Sequence, residues 1–129
     1  MFERILGLDP ANATALVNLG ALEVEQHQAA LARRHFLRAI EVDPGSSPAH
    51  AGLGVAALKM GDPQEAIAHL KIAVSLDRTN YEALYNLAIV LTDTRDASAR
   101  QYLELFTQSA PSSLFESELR EAVRLLHRH

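Results

Sequence analysis

The chain has 129 residues, of which 48% are apolar and 22% are charged, so it is long enough for one folded domain and too apolar for a disordered chain. Its formal net charge of −4 argues against nucleic-acid binding, because a phosphate-binding surface needs clustered Lys and Arg. The sequence has no cysteine, which excludes disulfide bonds and thiolate metal sites.

The first predicted element, residues 1–12, is the end of a helix. Phe2, Ile5 and Leu6 have the spacing of apolar residues that recur in a complete helix further along the chain. We predict half of a repeat with no helix in front of it, whose apolar edge favours self-association. Two interpretations stay open: a piece of a longer repeat array, which we favour, or a true N-terminus that docks on another surface.

Residues 13–46 are predicted to form two antiparallel helices. The first follows the N-cap residue Asn12, and the second runs from about Ala29 to Val42. The turn between them lacks glycine. His27 is expected to take the left-handed conformation there, because histidine tolerates positive φ better than most residues.

Residues 47–80 repeat this pattern with clearer signals. Ser47, which is followed by a proline, is predicted to cap the first helix. Gly61 is expected to supply a left-handed turn, after which Asp62 caps the second helix and Glu65 completes a capping box. The segment is therefore predicted to be a second helix pair.

The last two elements are a third helix pair in residues 81–113 and a capping helix in residues 114–129. Aligning the third pair with the others requires a one-residue deletion, which is placed in the turn at residues 93–96. Ser113 and Glu116 are predicted to form the capping box of the last helix. Its apolar stripe, expected to cover the end of the stack, is Phe115, Leu119, Ala122, Val123 and Leu126.

The helix pairs recur with a fixed period. Leu19, Leu53 and Leu87 are 34 residues apart, as are many other small and apolar residues. With these residues the chain resembles the tetratricopeptide repeat family. The resemblance rests in the first copy on Leu16, Leu19, Gly20, Ala32, Phe36, Ala39 and Pro44, and in the second on Leu53, Gly54, Ala66, Leu70 and Ala73. It implies an all-α, right-handed α-solenoid of three repeats plus the half-repeat and the capping helix.

Some positions depart from the family pattern. Glu23 and Ala57 stand where the family commonly has tyrosine, and His50 replaces an aromatic residue. Phe106 replaces a small alanine, so we expect it to mark the junction between the regular stack and the capping helix.

The resemblance also implies a concave groove lined by the first helix of each pair. The groove residues are then Val17, Asn18, Ala21, Val24, Ala51, Gly52, Val55, Leu58, Tyr85, Asn86, Ile89 and Asp93. A mostly apolar groove suits an amphipathic helix or an extended apolar segment of a partner. The alternative is that the protein's own helices cover these residues. Asn18 and Asn86 either bond a peptide backbone or tie neighbouring helices together.

One subgroup of the family binds the C-terminal carboxylate of chaperones through lysine, asparagine and arginine. The matching positions here hold Val17, Ala21, Gly52, Glu82 and Asn86. The resemblance therefore implies that this carboxylate clamp is absent, and that Glu82 repels a carboxylate.

No catalytic, metal or cofactor site is predicted. Neither His35 with His69 nor His127 with His129 has the i,i+4 spacing that brings two imidazoles to one metal ion, so we expect solvated histidines. The acidic residues interpreted as helix-end and surface charges are Glu23, Glu25, Asp93 and Asp96.

The targeting signals are weak. Residues 1–4 lack the basic leader and apolar core of a secretory signal, which favours the cytoplasm but leaves the location unknown. The longest apolar runs, such as Leu87–Leu91, are far shorter than the roughly 20 residues that cross a bilayer. No membrane span is predicted.

The sequence is thus predicted to encode a non-enzymatic protein–protein interaction module that binds a partner peptide or helix. Two alternatives belong to other classes. One is a regulatory or substrate-recruiting segment of a larger enzyme, such as a glycosyltransferase, and the other is a small secretion-type chaperone.

Overall fold

The computed structural model describes residues 12–128. Within that range the chain forms seven α-helices and no strand, which confirms the predicted all-α fold. The helices are α1 (Ala13–Glu25), α2 (Ala29–Val42), α3 (Ser47–Lys59), α4 (Pro63–Leu76), α5 (Tyr81–Asp93), α6 (Ala99–Ser109) and α7 (Glu116–Leu126). None of them is long and apolar enough to cross a membrane. Phe2, Ile5 and Leu6 lie outside the described residues.

The first helix of each pair begins with the same kind of cap. The side chains of Asn12, Ser46 and Asn80 accept a hydrogen bond from the backbone N–H three residues later, at 3.0, 3.1 and 3.2 Å. These caps are themselves 34 residues apart. The prediction that Ser47 caps α3 was therefore wrong by one residue, because Ser46 satisfies the free N–H and Ser47 is buried inside the first turn.

The turns inside the three pairs share one left-handed residue. His27 has φ 62°, Gly61 has φ 80° and Arg95 has φ 58°. The first two confirm the predictions, and the third shows that the third turn keeps the period. The predicted deletion at residues 93–96 was therefore misplaced: the missing residue lies after Asp96, where residues 97–98 precede the first residue of α6.

Two predicted capping boxes are absent. Asp62 does cap α4 by accepting a bond from the backbone N–H of Glu65, but the side chain of Glu65 pairs instead with Arg33 of α2. The last helix begins at Glu116 and its N-cap residue, Phe115, makes no side-chain cap bond. Ser113 lies in the turn before it, too far along the chain to serve as the cap.

The helices stack in two layers. Each pair packs against the next, and the first helices also contact one another, α1 with α3 and α3 with α5. We call α1, α3 and α5 the inner helices and α2, α4 and α6 the outer helices. This arrangement places the surfaces of the three inner helices side by side.

Close contact between α1 and α3 depends on one aromatic ring. The side chain of Phe36, from α2, is buried between Gly20 of α1 and Gly52 of α3. A Cβ atom on Gly20 would lie 2.7 Å from the ring, and one on Gly52 would overlap it. The small residues therefore make room for a large one from the neighbouring helix.

The largest apolar cluster joins the second pair, the third pair and α7. Phe106 is fully buried in it, with its ring centroid 5.2 Å from that of Tyr85 and 5.9 Å from that of Phe115. Phe106 thus lies at the predicted junction with the capping helix. The predicted stripe of α7 needs one correction: Leu125 is buried, whereas Val123 lies on the side of the helix and is 42% exposed.

Candidate functional site

The inner helices enclose a cavity of about 570 Å³. Its wall is formed by α1, α3, the start of α5 and the loop before α5, with Phe115 at one end. The predicted groove residues that line it are Val17, Ala21, Val24, Ala51, Gly52, Val55 and Asn86. The helix stack therefore brings residues from all three pairs to one largely apolar surface.

Other predicted groove residues do not line this cavity. Leu58, Tyr85 and Ile89 are half-buried and pack against the largest core cluster, while Asn18 and Asp93 are exposed. Burial raises the pKa of Tyr85, and the carboxylates of Glu121 and Glu118 add to that effect. Those two residues belong to α7, so the chain's own last helix lies beside Tyr85 at this end of the surface.

The cavity also has lining residues that the sequence did not indicate. They are Glu25, Phe36, Pro48, Asp77, Thr79, Asn80, Tyr81, Ala83 and Phe115. Most belong to helix ends and to the loop before α5. Period and resemblance favoured the middle of each inner helix, and they contain no signal for which helix ends meet across the stack.

Three carboxylates lie around the cavity and no Lys or Arg lines it. Asp77 accepts hydrogen bonds from the hydroxyl of Thr79 at 2.6 Å and from its backbone N–H at 2.9 Å, and these bonds hold the pKa of Asp77 below its usual value. Glu25 and Glu82 are exposed and form no ion pair with another described residue. The apolar surface therefore has an acidic rim.

Two asparagines at the cavity have different surroundings. The Asn80 amide donates to the hydroxyl of Ser47 at 2.9 Å, and that hydroxyl donates to the carbonyl of Ala73 at 2.8 Å. Asn80 thus ties neighbouring helix pairs together. The half-buried Asn86 forms no side-chain hydrogen bond with another residue of the described part of the chain, which leaves its amide available to a bound backbone.

Outside the cavity, Glu23 was wrongly interpreted as a surface charge. It is 1% exposed, and its Oε1 atom lies 2.6 Å from Nδ1 of His35. Its other oxygen has no hydrogen-bond partner. The carboxylate occupies an interior position because the helix pair folds α2 over the face of α1 that carries it.

The prediction of solvated histidines was also wrong for His35, His50 and His69. His50 is 8% exposed and its ring stacks on that of His69, with the two Nδ1 atoms 3.3 Å apart. Burial and His50 lower the pKa of His69, Arg33 lowers it further, and Glu65 opposes them. Among residues 12–128 no three His, Asp or Glu side chains converge as a metal site would require.

Two family models described as tetratricopeptide repeat match the chain, one over residues 20–74 and the other over residues 57–113. A comparison with curated proteins found no significant match.

Several solved structures are similar to this one. The Yersinia enterocolitica type III secretion chaperone SycD, in complex with a peptide of the translocator YopD, is 20% identical with a TM-score of 0.81, and the match covers 88% of each chain. MamA is 22% identical with a TM-score of 0.76, over 98% of this chain and 81% of its own. The TPR2B domain of yeast Sti1, in a complex with pHsp70, is 20% identical with a TM-score of 0.80, over 89% and 93%. These similarities show a shared fold.

Proposed function

Because the chain belongs to the tetratricopeptide repeat family, we propose that it is a non-catalytic interaction module that binds a partner peptide or helix against its inner helices. The observation that carries this proposal is the apolar cavity that residues from all three helix pairs line together. Its volume is in the range of pockets that hold ligands. A few apolar anchors of a partner would supply most of the binding energy there.

Polar groups at the cavity support a peptide as the occupant. The amide of Asn86 is available for a backbone hydrogen bond beside the apolar residues Val55 and Val17. SycD and the TPR2B domain of Sti1, which share the fold, were each solved in a complex. The fold is thus compatible with bound partners, while the choice of partner depends on this chain's own side chains.

The acidic rim disfavours one kind of peptide. Glu82 lines the cavity at a position that the carboxylate-clamp subgroup uses to bind a terminal carboxylate. A carboxylate placed there would meet a like charge, and that repulsion lowers affinity. We therefore propose that an internal segment of the partner binds, and not its C-terminal carboxylate.

The test is a selection of displayed random peptides of about 16 residues, which span roughly 24 Å as a helix. The bait proteins are the wild-type chain, an Ala21→Trp variant and an Ile72→Trp variant. Ala21 is exposed at the cavity wall, so tryptophan fills the groove without entering the core. Ile72 is exposed on the outer helix α4 and provides the matched control.

We expect the wild-type chain and Ile72→Trp to enrich a common set of peptides that contain spaced apolar residues. Ala21→Trp should bind the best of these at least about tenfold more weakly, as measured by fluorescence polarisation, because the bulky side chain displaces an anchor. The proposal is wrong if Ala21→Trp binds the same peptides with unchanged affinity. It is also wrong if the wild-type chain enriches none.

A further inference from the structure

Charge is distributed unevenly between the two layers of helices. The inner helices carry the acidic residues Glu23, Glu25, Glu82 and Asp93, with Lys59 as their basic residue. The outer helices are richer in basic residues, which are Arg33, Arg34, Arg38, Lys71 and Arg100, against Glu41, Glu65 and Glu104. The groove side of the stack is therefore the acidic side.

Most of the acidic residues on the outer helices already have a partner. Glu65 pairs with Arg33 at 2.8 Å, Glu41 with Arg38 at 3.4 Å and Glu104 with Arg100 at 3.0 Å. These pairs neutralise the carboxylates locally, although each exposed pair adds little to stability.

The carboxylates at the cavity lack such compensation. Glu25 and Glu82 have no cationic partner among the described residues, and Asp77 bonds only to neutral groups of Thr79. The hydrogen bonds to Asp77 favour its charged form. Three negative charges thus surround an apolar floor that includes Val17, so the site provides both a hydrophobic and an electrostatic preference.

From this arrangement, and on the basis of the proposed docking function, we infer that the groove selects a basic amphipathic segment of a partner protein. The apolar residues of the segment occupy the floor formed by Val17, Val24 and Val55, and its Lys or Arg residues meet Glu25, Glu82 and Asp77. Charge complementarity of this kind accelerates association and excludes acidic competitors.

The experiment uses two designed helical peptides of about 16 residues that share the same leucine positions. One carries lysine at every flanking polar position and the other carries glutamate. Their affinities for the full chain are measured by fluorescence polarisation at about 50 mM and about 500 mM NaCl, where the screening length falls from over 10 Å to under 5 Å. We expect the lysine peptide to bind at least about tenfold more tightly at low salt, and the preference to shrink at high salt.

Variants locate the preference. Glu25→Gln combined with Glu82→Gln should reduce the preference for lysine at least about threefold, because it removes two of the three rim charges. Glu41→Gln combined with Glu116→Gln is the matched control, since it changes the net charge equally at exposed sites away from the cavity and should leave the preference unchanged. Thermal unfolding followed by circular dichroism establishes that each variant is folded.

The outcomes separate this inference from the proposed function. Equal affinities for the two peptides, with both weakened by Ala21→Trp, would overturn the charge preference and leave docking in the groove intact. No binding of the lysine peptide at low salt, or a preference that the rim variant retains in full, also overturns the inference. Peptide binding that Ala21→Trp does not weaken contradicts the docking function itself.

Discussion

At the scale of single residues, Phe36 determines what its neighbours can be. Its ring fills the space between Gly20 and Gly52, so two helices approach closely where neither has a side chain. Glycine ordinarily weakens a helix interior by about 1 kcal/mol relative to alanine. The two glycines are retained at that cost because the ring would otherwise have no room.

We therefore expect Gly52→Ala to destabilise the protein by about 1–3 kcal/mol, the usual range for overpacking, although the same change in an unobstructed helix would stabilise it. Urea unfolding followed by circular dichroism measures the change. In a Phe36→Leu background the clash should be relieved, and Gly52→Ala should then cost less. A stabilising Gly52→Ala in the wild-type chain would contradict the contact.

His69 gives a second prediction for a single residue. Burial and His50 lower its pKa from the usual 6.5, Arg33 lowers it further, and Glu65 acts in the opposite direction. Just below pH 6.5 the unfolded chain therefore binds more protons than the folded chain. Stability is fully retained above that pH and falls as the pH decreases through the range below it.

His69→Gln should flatten the dependence of the free energy of unfolding on pH between about pH 7 and pH 5, because the titrating group is gone. Urea titrations at several pH values provide the measurement. His127→Gln removes an exposed histidine and serves as the control. If both variants keep the wild-type slope, the environment of His69 is not responsible for it.

At the scale of helices, the caps and left-handed residues recur every 34 residues while the buried faces vary. The last helix is the clearest example. It lies outside the period, and its buried face is Ala122 with Leu125, not the stripe through Val123. Packing against α6 selects this face.

The two leucine-like positions of α7 should respond differently to truncation. Leu125 is 6% exposed, so Leu125→Ala removes core contacts and should cost about 2–5 kcal/mol. Val123 is largely exposed, and Val123→Ala should change stability by about 0.5 kcal/mol or less. Urea midpoints compare the two variants. Equal losses would mean that α7 packs through a different face.

At the scale of the whole molecule, hydrogen bonds between helix pairs couple the repeats. The buried hydroxyl of Ser47 bonds both the carbonyl of Ala73 and the amide of Asn80, and so joins α3, the end of α4 and the cap of α5. Repeat proteins gain much of their stability and cooperativity from such interfaces between neighbours.

Ser47→Ala should cost about 1–2 kcal/mol, because it leaves the buried Ala73 carbonyl and the Asn80 amide without this partner. Ser75→Ala is the matched control, since the exposed Ser75 hydroxyl bonds only a carbonyl of its own helix. Denaturant unfolding measures both losses, and a lower slope for Ser47→Ala would indicate weaker coupling of the repeats. Equal costs for the two variants would show that the bond between the repeats contributes nothing special.

Much of the candidate site follows from the period, because a fixed position on each inner helix must face the same side of a regular stack. Val17, Ala51 and Val55 reach the cavity for that reason. Leu58 and Ile89 do not, since the core and the non-repeating end of the chain change what each position meets.

The sequence by itself determined the local structure: helix lengths, the caps at Asn12 and Asn80, and the left-handed turns at His27 and Gly61 depend on neighbours a few residues away. Only the tertiary structure decided which side chains meet across helices. It buried Glu23 against His35, stacked His50 on His69 and gathered the acidic rim from three separate helix ends. Burial and electrostatic environment depend on how whole helices pack, and no local pattern in the sequence specifies that geometry.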